Sequence, residues 1–289
     1  MAIAVVRNRL PSLPAPILFV LSGISMYAGA AIAVGLFSVA SPAGVAWLRC
    51  LGAAVILLAW RRPPRSAWTG RTFLLAGTFG IVTAGMNVLF YEAIARLPLG
   101  TAVALEFAGP VVVAAFGSRT RRDVFALLLV AAGVLAIADV RLEGSLLGVL
   151  FALAAAAAWA GYILLGKRVA DGGNGIDGLA VGFAVGTVVL SPLAFSVGAV
   201  WGSPRLLLLG AGVSVLATVV PYALDQVVLR KAGQTRFALL LALLPVTAGV
   251  IGFLWLGQVP ALPEALGTLA VVAGVALRSP VKRDDSAPL

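Results

Sequence analysis

A carboxyl group stands in the middle of an unbroken apolar stretch. Glu106 is the eighth of nineteen residues in the run 99–117, and Gly109-Pro110 follows it closely. An ionisable side chain at the centre of a membrane helix costs roughly 2.5–3.5 kcal/mol on insertion scales, so such a residue is a candidate for function. At that depth a carboxyl suits proton coupling, or it holds a substrate ammonium; the alternative is a structural ion pair with Arg49. Pro110 cannot donate a backbone hydrogen bond, so together with Gly109 it loosens the helix locally. Arg49 lies seven residues into its own run, 43–60, where it either orients helices or touches solute. Asn87 and Tyr91 are four residues apart and share a helical face, so they either line a polar path or satisfy a neighbour.

Asp225 follows Pro221-Tyr222 near the end of the run 206–229. It either guards a mouth of the path or is an interfacial carboxylate close to Arg230 and Lys231. Trp159 and Tyr162, three apart, form either a cavity wall or ordinary aromatic packing. Glu92 and Asp139 fall near the ends of apolar runs and are expected at the membrane interface.

Much other chemistry is absent from the sequence. There is no histidine, which removes the commonest metal ligand, proton shuttle and triad base. The one cysteine, Cys50, cannot form an intramolecular disulfide and reads as apolar filler. No glycine-rich phosphate loop, acid cluster with metal spacing or nucleophile paired with a base occurs. Neither an enzyme, a metal nor a cofactor is therefore expected.

Of the 289 residues, 61% are hydrophobic and 11% charged, against about 45–50% and about 25% in soluble domains. Water cannot solvate such a surface, so the surplus has to face lipid. Ten apolar runs punctuate the chain: 17–37, 43–60, 72–95, 99–117, 124–139, 146–166, 178–200, 206–229, 235–256 and 261–277. Turn-rich separators divide them, among them Ser41-Pro42, Pro63-Pro64, Leu97-Pro98, Gly172-Gly173 and the stretch from Pro260 to Pro263. A spanning helix uses about 20 such residues, so two runs, 43–60 and 124–139, borrow length from their ends.

The net charge of +10 points to membrane topology rather than nucleic acid, because the basic residues sit in short clusters between runs. With the N-terminus cytoplasmic, seventeen Lys and Arg fall in inside segments, from Arg7 and Arg9 to Lys282 and Arg283. Only Arg96, Arg141 and Arg205 fall outside. That asymmetry predicts ten spans with both termini cytoplasmic. Arg7 and Arg9 before an apolar run also resemble a signal peptide, but the run is too long for one.

An internal repeat underlies the ten runs. Residues 18–29, LFVLSGISMYAG, align with 150–161, LFALAAAAAWAG, at an offset of 132. A weaker match at an offset of 135 pairs Leu89 with Leu224, Leu105 with Leu240 and Pro110 with Pro245. Five spans is an odd number, so the second copy enters from the opposite side of the membrane, an arrangement found in transporters. Small-residue spacings such as Ser25xxxGly29, Gly182xxxGly186 and Gly210xxxSer214 predict closely packed helices.

The stretch Met86 to Phe116, MNVLFYEAIARLPLGTAVALEFAGPVVVAAF, resembles the bacterial threonine/homoserine exporters of the EamA branch of the drug/metabolite transporter superfamily. The likeness extends through Trp159-Ala160-x-Tyr162 and Pro221-Tyr222-x-Leu224-Asp225 to the Pro245 segment. It implies an all-α integral membrane protein of the bacterial inner membrane, with two five-helix EamA repeats at 14–140 and 145–279 and a short cytoplasmic tail at 280–289. It further implies export of amino acids or similar small metabolites, by proton exchange, with Asn87, Tyr91, Glu106, Pro110, Tyr222 and Asp225 carried over. Two positions depart from the family pattern: Leu244 stands where a Glu usually precedes the second proline, and Gln258 where a Glu commonly follows the glycine. A lost carboxylate bears on which solute is moved.

The expected function is a secondary active exporter working by alternating access. Glu106, Asn87, Tyr91, Tyr222, Asp225, Arg49, Trp159 and Tyr162 are expected on its pathway, and Pro110, Pro221 and Pro245 at helix breaks. Expected partners are a small solute and the lipid bilayer, not nucleic acid, and a homodimer is left open. The rivals are the same fold moving drug-like cations or nucleosides, an intramembrane enzyme, and a sensor, for which the residues after Pro280 are too few to form an output domain.

Overall fold

The computed structural model describes residues 13–117, 120–171, 175–222, 224, 225, 227, 228, 231 and 240–277, and among them no strand occurs. The tail 280–289, Arg236 and the glycine pair at 172–173 lie outside the described residues.

Helix α1 (Ala15–Leu36) starts after Pro14. Helix α2 (Pro42–Arg61) has proline in its first turn and Ser41 as N-cap, whose hydroxyl accepts from Gly44 N. Helix α3 (Gly70–Ile94) follows a short 3-10 turn at Arg65–Trp68. The run 99–117 is split into α4 (Leu99–Glu106) and α5 (Ala108–Gly117). The segment α6 (Arg121–Asp171) is two helical arms, one for each of two apolar runs, meeting at a kink at Ser145, whose φ of −161° and ψ of 56° are not helical.

Helix α7 (Gly175–Val189) bends by 65° into the apolar segment Ser191–Trp201, where Pro192 opens a 3-10 stretch before the short α8 (Gly198–Trp201). Helix α9 (Pro204–Ser214) runs directly into a π-helical turn at Val215–Val219. Helices α10 (Leu243–Leu256) and α11 (Leu262–Leu277) follow, and α10 ends on Gly257 in the left-handed conformation, φ 65°.

Among the described residues five helices are long and apolar enough to cross a membrane, or six with the bent pair counted as one span. Large apolar side chains such as Leu74, Val188, Phe195, Leu208 and Leu254 point outward and are exposed. On a protein in water these would be a liability; against lipid tails they are the expected coat.

Inside, backbones approach closely at small residues. Gly80 of α3 meets Gly182 of α7 backbone to backbone, and Gly186 packs against Ala84 and the Gly80 carbonyl. One close contact is repeated by residues that the sequence offsets relate, and others recur nearby. Gly29 lies on Ala217, and Gly161, its repeat mate, lies against Val82, 135 residues before Ala217. Gly109 meets Ala156, while Leu244, 135 residues after Gly109, meets Gly23. Gly133 and Gly267 sit directly on each other.

Helices α2 and α7 form a central antiparallel pair bonded along its length. Ser41 Oγ donates to Ser196 Oγ (2.8 Å) beyond the bend, Trp47 Nε1 to the Thr187 carbonyl (2.9 Å), and Arg61 Nε to Asp177 Oδ1 (3.0 Å).

Candidate functional site

Interruptions of two kinds break the apolar helices. The first interruption is at Phe107, three residues before Pro110. Residue 110 has no N–H to give to the Glu106 carbonyl four residues back, so the α-helical ladder fails there. An equivalent interruption at Leu241 and Ala242 precedes Pro245, and the Leu241 carbonyl accepts from Leu244 N instead. Both breaks thus stand three or four residues ahead of their prolines.

Glu106 is buried at 9% exposure, and among the described residues its carboxylate has no hydrogen-bond partner. The ion pair with Arg49 weighed from the sequence is not formed. Arg49 lies within electrostatic reach of Glu106, but its guanidinium is engaged elsewhere. Nε donates to Thr218 Oγ1 (3.0 Å), Nη2 donates to the Ala217 carbonyl (2.9 Å), and the group lies over the Tyr91 ring, 5.7 Å from its centroid.

Asn87 and Tyr91 share a face, as their spacing predicts, but do not bond to each other. Asn87 Nδ2 turns back to the Thr83 carbonyl (2.8 Å), and the fully buried Tyr91 hydroxyl, which makes no fully formed hydrogen bond among the described residues, lies next to the Arg49 guanidinium.

The second interruption is the π turn at Val215–Val219 before Pro221. Here the chain is stitched to α1. Ser25 Oγ donates to the Leu216 carbonyl (2.9 Å), and Ser22 Oγ donates to Asp225 Oδ1 (2.7 Å) with a longer contact to the Pro221 carbonyl (3.4 Å). Among the described residues Asp225 is thus paired with no basic side chain; Arg230 lies outside them. Tyr162 stacks on Phe79 (5.0 Å between centroids) and lies within electrostatic reach of Tyr222 and Asp225. Trp159 packs edge-on against Phe107, 4.9 Å away, bracing the first interruption.

Tyr27, Ser22, Ser25 and Thr218 belong to this centre and carried no expectation. Glu106, Asp225 and Arg49 all lie within electrostatic reach of the buried Tyr27 hydroxyl. The repeat held the available signal, since Tyr27 aligns with Trp159. Ser25 stood in view only as part of a small-residue spacing with Gly29, and Ser22 not at all.

Other polar residues are structural. Glu92 Oε1 accepts from Ala43 N (3.1 Å) at the start of α2, and Glu92 pairs with Arg96 one turn on. The side chain of Asp139 lies outside the described residues. A separate apolar groove of about 300 Å³ runs between α4, α10 and α11, lined by Pro98, Gly100, Thr101, Pro245, Gln258 and Leu269. Of the expected site residues it holds only Pro245. No group of three or more possible metal ligands occurs among the described residues.

The model of the EamA-like transporter family matches residues 146–279. The threonine/homoserine exporter RhtA of Salmonella typhimurium (strain SL1344) is 35% identical over 263 residues, covering 89% of each chain. This chain belongs to the EamA family. The RhtA exporter of Escherichia coli (strain K12) is 34% identical over 253 residues, 86% of this chain and 85% of that one. A solved crystal structure shares the fold at 19% identity, with a TM-score of 0.58 over 91% of this chain and 96% of that one. As an EamA protein the chain is a multi-pass membrane transporter, and the breaks described above lie within its apolar helices.

Proposed function

We propose that this EamA-family chain is a secondary active exporter of small amphipathic metabolites, amino acids of the threonine and homoserine type first among them. The observation that carries the reading is likeness to exporters of those solutes over nearly nine-tenths of both chains. In this reading ten helices form two inverted five-helix halves, 14–140 and 145–279, in a bacterial inner membrane with both termini cytoplasmic. The mirrored contacts of Gly29 with Ala217 and Gly161 with Val82 support the pairing, and the distribution of Lys and Arg supports the orientation. Exchange between the two halves' conformations gives alternating access.

Glu106 is the coupling or amine-binding carboxylate, supported by its burial without a partner beside a broken helix. Tyr91, Tyr222 and Asp225 line the route, with Asn87 behind Tyr91 and Tyr162 beside Asp225. Proton exchange is the coupling chemistry that a single unpaired carboxyl serves most simply.

Counterflow of radiolabelled threonine in proteoliposomes tests the reading. Expected is saturable exchange that unlabelled homoserine competes away and that Glu106→Gln removes. A second solute class is favoured by one observation: buried, apolar Leu244 occupies the place of a family carboxylate and packs on Gly23. Competition by drug-like cations or nucleosides, but not by amino acids, would select that reading instead.

A further inference from the structure

The second interruption presents a problem of backbone accounting. In the π turn the Val220 amide bonds back five residues, to the Val215 carbonyl. The next amide along the chain would serve Leu216 if the π register continued, or Ala217 if the α register resumed. That residue is Pro221, which has no N–H. Both registers are therefore one donor short at the same place, in a helix with no water to make up the difference.

The two carbonyls at risk are those that receive side chains from the other half of the molecule. Leu216 O accepts from Ser25 of α1, and Ala217 O accepts from Arg49 of α2, each at 2.9 Å. Gly29 admits α1 to this place, since a Cβ on it would meet Ala217 N at 2.8 Å. Arg49 suits the task better than a lysine would. Its planar fork bonds Ala217 O through one nitrogen and Thr218 Oγ1 through another, fixing direction as well as distance. One turn further along the same segment come Tyr222 and Asp225, the latter held by Ser22.

We propose that Arg49 and Ser25 together replace the backbone donor that Pro221 removes, and that Arg49 is thereby the positioning residue that fixes where Tyr222 and Asp225 stand. Arg49 then has no substrate to bind; it acts through the broken helix. The proposal rests on the transport reading only in one arm of its test.

The test is a double-mutant cycle in the full-length purified protein: wild type, Arg49→Gln, Pro221→Ala and the double variant. Pro221→Ala returns a backbone N–H, so the carbonyls no longer depend on the guanidinium. Expected in thermal unfolding is a clear loss of melting temperature for Arg49→Gln, shrinking to less than half on the Pro221→Ala background. In threonine counterflow, Arg49→Gln is expected to cost about tenfold in maximal rate at little change in KM, and about threefold or less on the Pro221→Ala background. Arg49→Lys should fall between wild type and Arg49→Gln.

Equal losses on the two backgrounds, in melting and in rate, would overturn the proposal, as would a KM effect that Pro221→Ala leaves untouched. If Arg49→Gln does not fold, Ser25→Ala runs the same cycle through Leu216 O. If the wild type moves no amino acid, the transport reading fails while the melting cycle still decides this one.

Discussion

The two interrupted regions solve opposite problems. Around Pro221 every freed group that can be followed has a partner: Leu216 O, Ala217 O, Thr218 Oγ1, the Pro221 carbonyl and Asp225 Oδ1 are each reached from α1 or α2. Around Phe107 the Glu106 carboxyl is buried with no partner among the described residues. The first region is a joint whose bonds cross between the halves, and the second is a socket left open. A transporter needs both. A fully satisfied centre has nothing with which to receive a solute or a proton, and a fully unsatisfied one does not hold its shape in lipid.

The comparison breaks most readily at the socket. Glu106→Gln should lower threonine counterflow by about a hundredfold, comparable to the roughly 2.5–3.5 kcal/mol that burying the ionisable group costs. Its melting temperature should equal or exceed that of the wild type. A drop in melting temperature matching the drop in rate would make the carboxyl a structural group and erase the contrast.

At the joint, the α1 crossing is the next largest effect. Gly29→Ala should destabilise by about 1–3 kcal/mol, because its Cβ would press on the backbone and the short, rigid Cβ of Ala217. Gly161→Ala, the same change at the repeat mate, meets a movable Val82 methyl at 3.5 Å and should stay within about 0.5 kcal/mol. Chemical denaturation in mixed micelles compares the two. Equal effects would mean that the halves are packed alike and that the joint is not special.

Ser22→Ala should cost less, about 0.5–1.5 kcal/mol for the bond to Asp225, with a shift in the pH dependence of transport as the more sensitive readout. Gly35→Ala, facing nothing within 4 Å, is the control and should change neither stability nor rate.

Much of this was legible in the residues. Glu106 announced itself through the cost of its position, and the small-residue spacings marked real crossings: Gly182 and Gly186 on α3, Ser25 and Gly29 on the π turn. Pro110, Pro221 and Pro245 marked real breaks. Three things were not legible. The breaks fall several residues before the prolines, because the missing N–H unseats a carbonyl one turn earlier. The partner of Arg49 is a backbone carbonyl, and carbonyls carry no signature in a sequence. The bend after Val189 lies inside an apolar run whose hydropathy is uninterrupted, and only Ser191-Pro192 hinted at it.

The bonds between α2 and α7 limit how the molecule can move. Ser41 with Ser196, Trp47 with Thr187 and Arg61 with Asp177 lie in order along an antiparallel pair, near one end, between, and near the other. Sliding one helix along the other by a turn severs all three at once. Rocking about their shared long axis strains them least of any displacement. The pair therefore resists sliding more than it resists rotation, as a keyed axle does.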